Sequence, residues 1–170
     1  MSEFSPKLRV AVRVRQAGQE PMDGFLLLSP ESEFRPGPET ILERLNAGDR
    51  VIPFLRRSDG STLLLTRLDL EWVMAGRGKS DRTVPATHFV THQERVLVRL
   101  SSGGEMEGLI QMELPETLNR ASDFLNGTDD FFPLVTDQST FVVNKTRVLD
   151  TRLFESSPMP VAPEAGETGY

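Results

Sequence analysis

A chain of 170 residues with no cysteine and a net charge of −6 has no disulfide framework, thiolate metal site or thiol nucleophile. Its acidic balance disfavours long polyanions as partners unless Arg and Lys cluster locally. No apolar run approaches the roughly 20 residues that a membrane-spanning helix needs, and the start Met1-Ser2-Glu3-Phe4-Ser5-Pro6 lacks a basic or apolar leader, so a bacterial cytoplasmic location without membrane association is expected.

In chain order, Val10, Val12 and Val14 alternate with Arg9, Arg13 and Arg15, a period of two that predicts a strand with one buried and one wet face. A turn at Ala17-Gly18-Gln19 leads into Phe25 to Leu28, predicting a hairpin. Thr40-Ile41-Leu42-Glu43 has the form of a capping box, Ile41 and Leu45 sit four apart, and Gly48 is placed to end the turn; a short helix is predicted there. Three short strands follow at Val51 to Leu55, Thr62 to Thr66 and Leu70 to Met74, the first two joined by the turn Ser58-Asp59-Gly60. Asn46 is expected to end the helix in a left-handed turn and Asp49 to cap the strand entry.

The same order then recurs. Arg95 to Leu100 resembles Arg9 to Val14, Met106-Glu107-Gly108-Leu109-Ile110 resembles Met22-Asp23-Gly24-Phe25-Leu26, and Leu118, Ala121 and Leu125 with Gly127 restate the helix. Asn126 and Asp129 hold the places of Asn46 and Asp49. Phe131 to Val135, Thr140 to Val143 and Arg147 to Thr151 supply three further strands, with Thr136-Asp137-Gln138 as the turn. The matched blocks lie 86, then 84, 80 and 78 residues apart, so the first copy carries its extra residues in loops. A duplicated module is the reading. The expected fold is mainly β: two tandem five-stranded Sm-like or SH3-like small barrels, each with a short helix between strands two and three. Residues 1–75 are the first barrel, 76–94 a linker, 95–155 the second barrel and 156–170 a disordered Pro-rich tail.

The Val-x-Val-x-Leu hairpin with its Gly turn and the Gly entering strand two, together with Phe141-Val142-Val143-Asn144-Lys145-Thr146-Arg147-Val148, resemble the two signatures of Sm-like small β-barrels. Two departures stand out: the family's Arg-Gly turn before the last strand is replaced by Thr66-Arg67 and Asn144-Lys145, and the helix falls between strands two and three. The stretch Arg120-Ala121-Ser122-Asp123-Phe124-Leu125-Asn126 is similar to a motif of uncharacterised bacterial proteins with this barrel. The resemblance implies the barrel fold and opens RNA binding as a function.

Catalytic chemistry has little to stand on. Gly76-Arg77-Gly78-Lys79-Ser80 ends like a phosphate loop, but the pattern needs Gly where Val73 stands, and Pro85 cuts short the following helix. His88 and His92 are spaced four apart with no third ligand nearby. Arg9 and Arg13, echoed by Arg95 and Arg99, have an Arg-x-x-x-Arg spacing seen in PilZ-type cyclic-dinucleotide receptors, without the companion Asp/Asn-x-Ser-x-x-Gly element; this leaves ligand sensing between the modules as a third option. No catalytic residue, metal or cofactor is expected.

Trp72, Met74 and the adjacent Phe131 and Phe132 exceed what one barrel interior takes, which points to packing between modules or against another chain. The expected function is therefore a non-enzymatic interaction or scaffold module. Its partner-binding positions are Leu63, Leu65, Phe141, Val143, Trp72 and Phe131, with free strand edges at Leu63 to Thr66 and Phe141 to Lys145 open to strand addition by an unknown protein or by a second copy, as a homo-oligomer. The alternative is a protein binding single-stranded nucleic acid, RNA above all, through Arg9, Arg13, Arg67, Lys145 and Arg147.

Overall fold

The computed structural model describes residues 7–76, 80–85, 92–112 and 121–154. Ten strands lie in one antiparallel sheet: β1 Leu8–Gln16, β2 Met22–Leu28, β3 Val51–Arg56, β4 Thr62–Thr66, β5 Leu70–Gly76, β6 His92–Leu100, β7 Glu105–Met112, β8 Phe131–Val135, β9 Ser139–Asn144 and β10 Val148–Leu153. Their spatial order is β10-β6-β7-β8-β9-β5-β1-β2-β3-β4. Among the described residues three short helices punctuate them, α1 Ile41–Asn46, α2 Ser80–Thr83 and α3 Ala121–Leu125, and 3₁₀ turns at Arg67–Asp69 and Lys145–Arg147 precede β5 and β10.

Local chemistry explains the elements. Val10, Val12 and Val14 are buried while Arg9 and Arg13 face solvent, as the period of two requires. α1 starts on the expected box: Thr40 Oγ1 accepts from the Glu43 amide at 3.3 Å, and the Thr40 amide donates to Glu43 Oε1 at 2.9 Å. Gly48 and Gly60 take positive φ, +93° and +70°, where a Cβ would be strained.

The halves share connectivity and register. Val12 pairs with Gly24 and Val96 with Gly108, so β1 and β6 correspond at a spacing of 84, not 86; Arg15 rather than Arg13 matches Arg99. Both glycines are obligatory for the same reason. A Cβ on Gly24 would collide with the Leu55 carbonyl and the Phe54 ring, and one on Gly108 would come within 2.7 Å of the Val135 carbonyl and 2.9 Å of Leu134 Cγ. Phe54 opposite Leu63 answers Leu134 opposite Phe141, and Arg15 opposite Trp72 answers Arg99 opposite Asp150.

The expectation of two separate small barrels is corrected to one sheet that does not close. Within each half, strands run β5-β1-β2-β3-β4 or β10-β6-β7-β8-β9; the first half's β5 then pairs with the second half's β9, Trp72 opposite Val143 through Gly76 opposite Ser139. That ladder satisfies one edge of each half without curling five strands fully onto themselves. Two apolar clusters result, and each takes side chains from both halves. The first joins Val12, Leu26, Phe54 and Leu65 with Phe131 and Val142; the second joins Val98, Ile110 and Phe132 with Trp72. The adjacent Phe131 and Phe132 thus serve opposite faces of the sheet.

α2 falls inside the expected linker. His88, Arg77 to Lys79 of the phosphate-loop-like segment, Leu118 and the tail 156–170 lie outside the described residues. No helix among the described residues is long and apolar enough to cross a membrane.

Candidate functional site: sheet edges and the junction between halves

Backbone geometry decides which edge is open. β4 ends the sheet, and its alternation is fixed by the Arg56 amide, which donates to the Ser61 carbonyl at 2.8 Å. Counting on from that pair, Leu63 and Leu65 exchange hydrogen bonds with β3, whereas Leu64 lies opposite Pro53, which has no amide to give. The N–H and C=O of Leu64 therefore point away from the sheet, as do those of Thr62 and Thr66. Its side chain is out as well, 65% exposed.

Leu63 and Leu65 were expected to meet a partner, and here the structure differs. Leu65 is buried at 2% exposure and Leu63 packs on the first cluster, because in a strand the residues flanking an outward side chain point inward. Nor is β9 an edge: it sits between β8 and β5. Phe141 and Val143 belong to the junction inside the chain. Trp72 meets Phe141 edge-on at 5.1 Å between ring centroids, and Phe131 and Val143 are 1% and 0% exposed. The second open edge is instead β10. The Phe154 amide donates to the Arg95 carbonyl, which by alternation aims the backbone groups of Thr151 and Leu153 outward.

The junction is held by polar latches that sequence reasoning missed. Asn46 brackets the backbone of Phe131, its Nδ2 donating to the carbonyl at 3.2 Å and its Oδ1 accepting from the amide at 2.9 Å. The helix end expected of Asn46 is provided by Ala47 in right-handed conformation. Asn144, fully buried, donates to the carbonyls of Leu68 and Leu70 at 2.9 and 2.8 Å and accepts from the amide and hydroxyl of Thr146 at 2.9 and 2.8 Å. Arg67, 7% exposed, donates to the Leu45 and Asp49 carbonyls and pairs with Asp130 at 3.0 Å. Asn and Asp after a helix read as local caps, so nothing in the sequence signals these long-range roles.

The basic residues are occupied by neighbours. Arg13 pairs with Asp23 at 2.7 Å and Arg147 with Asp69 at 2.6 Å. Lys145 Nζ lies 3.5 and 3.4 Å from the Phe124 and Gly127 carbonyls; burial pulls its pKa down against the pull of Asp129 and Asp130. Arg9 lies over the Phe25 ring at 5.3 Å. The group is divided between the wet face of β1 and the two 3₁₀ turns. His92 sits 3.3 Å from Glu94, and among the described residues no group of three or more His, Asp or Glu side chains is placed to hold a metal ion. A shallow cavity of about 370 Å³ at the junction is lined by Arg15, Trp72, Leu100, Met106 and Phe141 among others.

Comparisons with protein-family models, with curated proteins and with solved structures find no match.

Proposed function

We propose that this chain is a non-enzymatic interaction module: a duplicated pair of five-stranded, Sm-like units joined in one sheet, which binds a protein partner by strand addition at its open sheet edges. The observation that carries the reading is the outer side of β4, where the N–H and C=O of Leu64 point outward beside a leucine side chain 65% exposed. Soluble proteins usually blunt such an edge with lysine, proline or a bulge; the β4 sequence Thr62-Leu63-Leu64-Leu65-Thr66 has none. Main-chain hydrogen bonds from an added strand give affinity, and Leu64 gives a side-chain anchor. The neighbours held by Arg13, Arg67, Lys145 and Arg147 favour this reading over nucleic-acid binding, since phosphate contacts draw on uncommitted cations.

The test uses the full chain as bait in its native lysate, beside Leu64→Pro. Proline at 64 removes only the outward donor and leaves the β3 ladder intact. Proteins retained by the wild type and lost by the variant support edge recruitment. An identical retained set counts against it, and tight, steeply salt-dependent capture of single-stranded RNA would replace it with the alternative.

A further inference from the structure

We infer that the cavity at the junction is a binding site for a small aromatic carboxylate, whose charge Arg15 receives and whose ring lies against Trp72. The site lies where β5 meets β9, away from the open edges of β4 and β10, and a difference between the two halves points to it. Arg15 opposite Trp72 answers Arg99 opposite Asp150. Arg99 donates through Nε and Nη2 to the two carboxylate oxygens of Asp150. In the first half an indole stands where that carboxylate would be, so the guanidinium keeps an open fork beside an aromatic wall. Arg15 Nε donates to the Gln19 carbonyl at 2.9 Å, and among the described residues Nη1 and Nη2 have no hydrogen-bond partner.

A second difference explains how Arg15 is held. β5 and β10 each carry one extra residue in the ladder to the first strand of their half, Glu71 in β5 and Leu149 in β10. The leucine is 60% exposed and the acid is wholly buried, the reverse of what burial favours. Glu71 accepts no hydrogen bond among the described residues, and its Oε1 lies 3.5 Å from Arg15 Nε. A carboxylate buried on those terms holds the guanidinium from its Nε side and leaves the terminal nitrogens to the cavity. Nη1 reaches Gly104, which also lines the cavity; a Cβ there would stand 3.4 Å from it.

The other walls suit a flat apolar body. The rings of Trp72 and Phe141 meet at 84° and form a corner, a geometry into which a third ring packs by face or edge, and Met106 adds an adaptable side chain. A volume of about 370 Å³ is at the small end of the roughly 300–1,000 Å³ of ligand cavities, room for one ring and a short acid arm. Glu105 and Glu107 also border the cavity. Met106 lies between them on β7 and packs on the second cluster, so alternation turns both carboxylates to the far face, where Glu107 pairs with Arg95 at 2.6 Å. The guanidinium edge of Arg15 is thus the charged group that the cavity offers to a ligand, and a carboxylate matches its fork.

Trp72 is the only tryptophan of the chain, so its indole N–H gives a single peak in a nitrogen–proton correlation spectrum and reports on the cavity. The full chain is titrated to about 10 mM with benzoate, phenylacetate and phenylpropionate, beside phenylacetamide, which has the ring without the charge, and acetate, which has the charge without the ring. At least one of the three acids is expected to shift the Trp72 peak saturably at one site, with phenylacetamide and acetate at least about tenfold weaker. Arg15→Gln combined with Glu71→Gln, which removes both charges together, is expected to weaken that acid about tenfold or more, whereas Arg99→Gln combined with Asp150→Asn leaves it unchanged. Should the first pair prevent folding, Arg15→Lys keeps the charge beside Glu71 without the fork and is expected to weaken binding about fivefold. An acetylated tripeptide ending in phenylalanine separates a free acid from a protein C-terminus, and is expected to bind more weakly than the best free acid. No saturable shift with any acid, acids bound no better than phenylacetamide, undiminished binding in the Arg15 variants, equal loss in the Arg99 pair, or tighter binding of the tripeptide each overturn the inference.

Discussion

Replacing Asn144 tests the account of the junction at its most constrained point. Its side chain is 0% exposed and makes four hydrogen bonds, two as donor to the Leu68 and Leu70 carbonyls and two as acceptor from Thr146. Asn144→Ala deletes all four and leaves buried groups unpaired. At about 1 kcal/mol for each net hydrogen bond, and up to about 3 kcal/mol for each stranded group, a loss of roughly 3 to 5 kcal/mol is expected, a large share of a domain's usual 5–15 kcal/mol. Asn144→Asp is nearly isosteric and keeps both acceptor bonds, yet it sets a buried carboxylate against two carbonyl oxygens. It is expected to cost at least as much as alanine at pH 7. That cost depends on pH in a definite direction. Burial and the carbonyls raise the folded-state pKa of the new carboxyl above its unfolded value near 3.9, so the variant gains stability as pH falls through the raised pKa and levels off below the unfolded one. Urea denaturation of wild type and both variants at pH 7 and pH 5 measures this. An aspartate variant more stable than the alanine variant at pH 7, or one whose deficit does not shrink at pH 5, would refute the assigned hydrogen-bond directions.

Gly24→Ala and Gly108→Ala should both destabilise, by about 2 kcal/mol or more, with Gly24→Ala the worse because its Cβ meets both the Leu55 carbonyl and the Phe54 ring; thermal melts that rank them in the opposite order contradict the close approach of β2 to β3. In acid, the hydrogen bonds to Arg13, Arg56 and Arg99 hold the carboxyls of Asp23, Asp59 and Asp150 below the usual range. A depressed folded-state pKa contributes stability above pH 4 that is lost as pH falls through it. The stability advantage of the wild type over Asp59→Asn should therefore shrink between pH 5 and pH 2, and an advantage that widens would show the sign to be wrong. Its size is small, since all three pairs are open to solvent and screened.

Local signals were legible, and non-local ones were not. The capping box at Thr40, the alternating valines of β1 and the turn at Gly60 each act within a few residues, and the structure follows them. The spacing of 86 between the first strands misleads for a physical reason. Sliding a strand by two residues returns the same faces to the same sides, so the alternating valines match their repeat in either register while the arginines favour 86; the close approach at Gly24 and Gly108 selects 84. The joint sheet depends on Trp72 meeting Val143, a pairing that no nearby residue encodes. Phe131 and Phe132 hinted at it, since neighbours on a strand must serve opposite faces. Asn46 and Asn144 gave no hint at all, because an amide that latches a distant backbone has the same local sequence context as one that caps a helix.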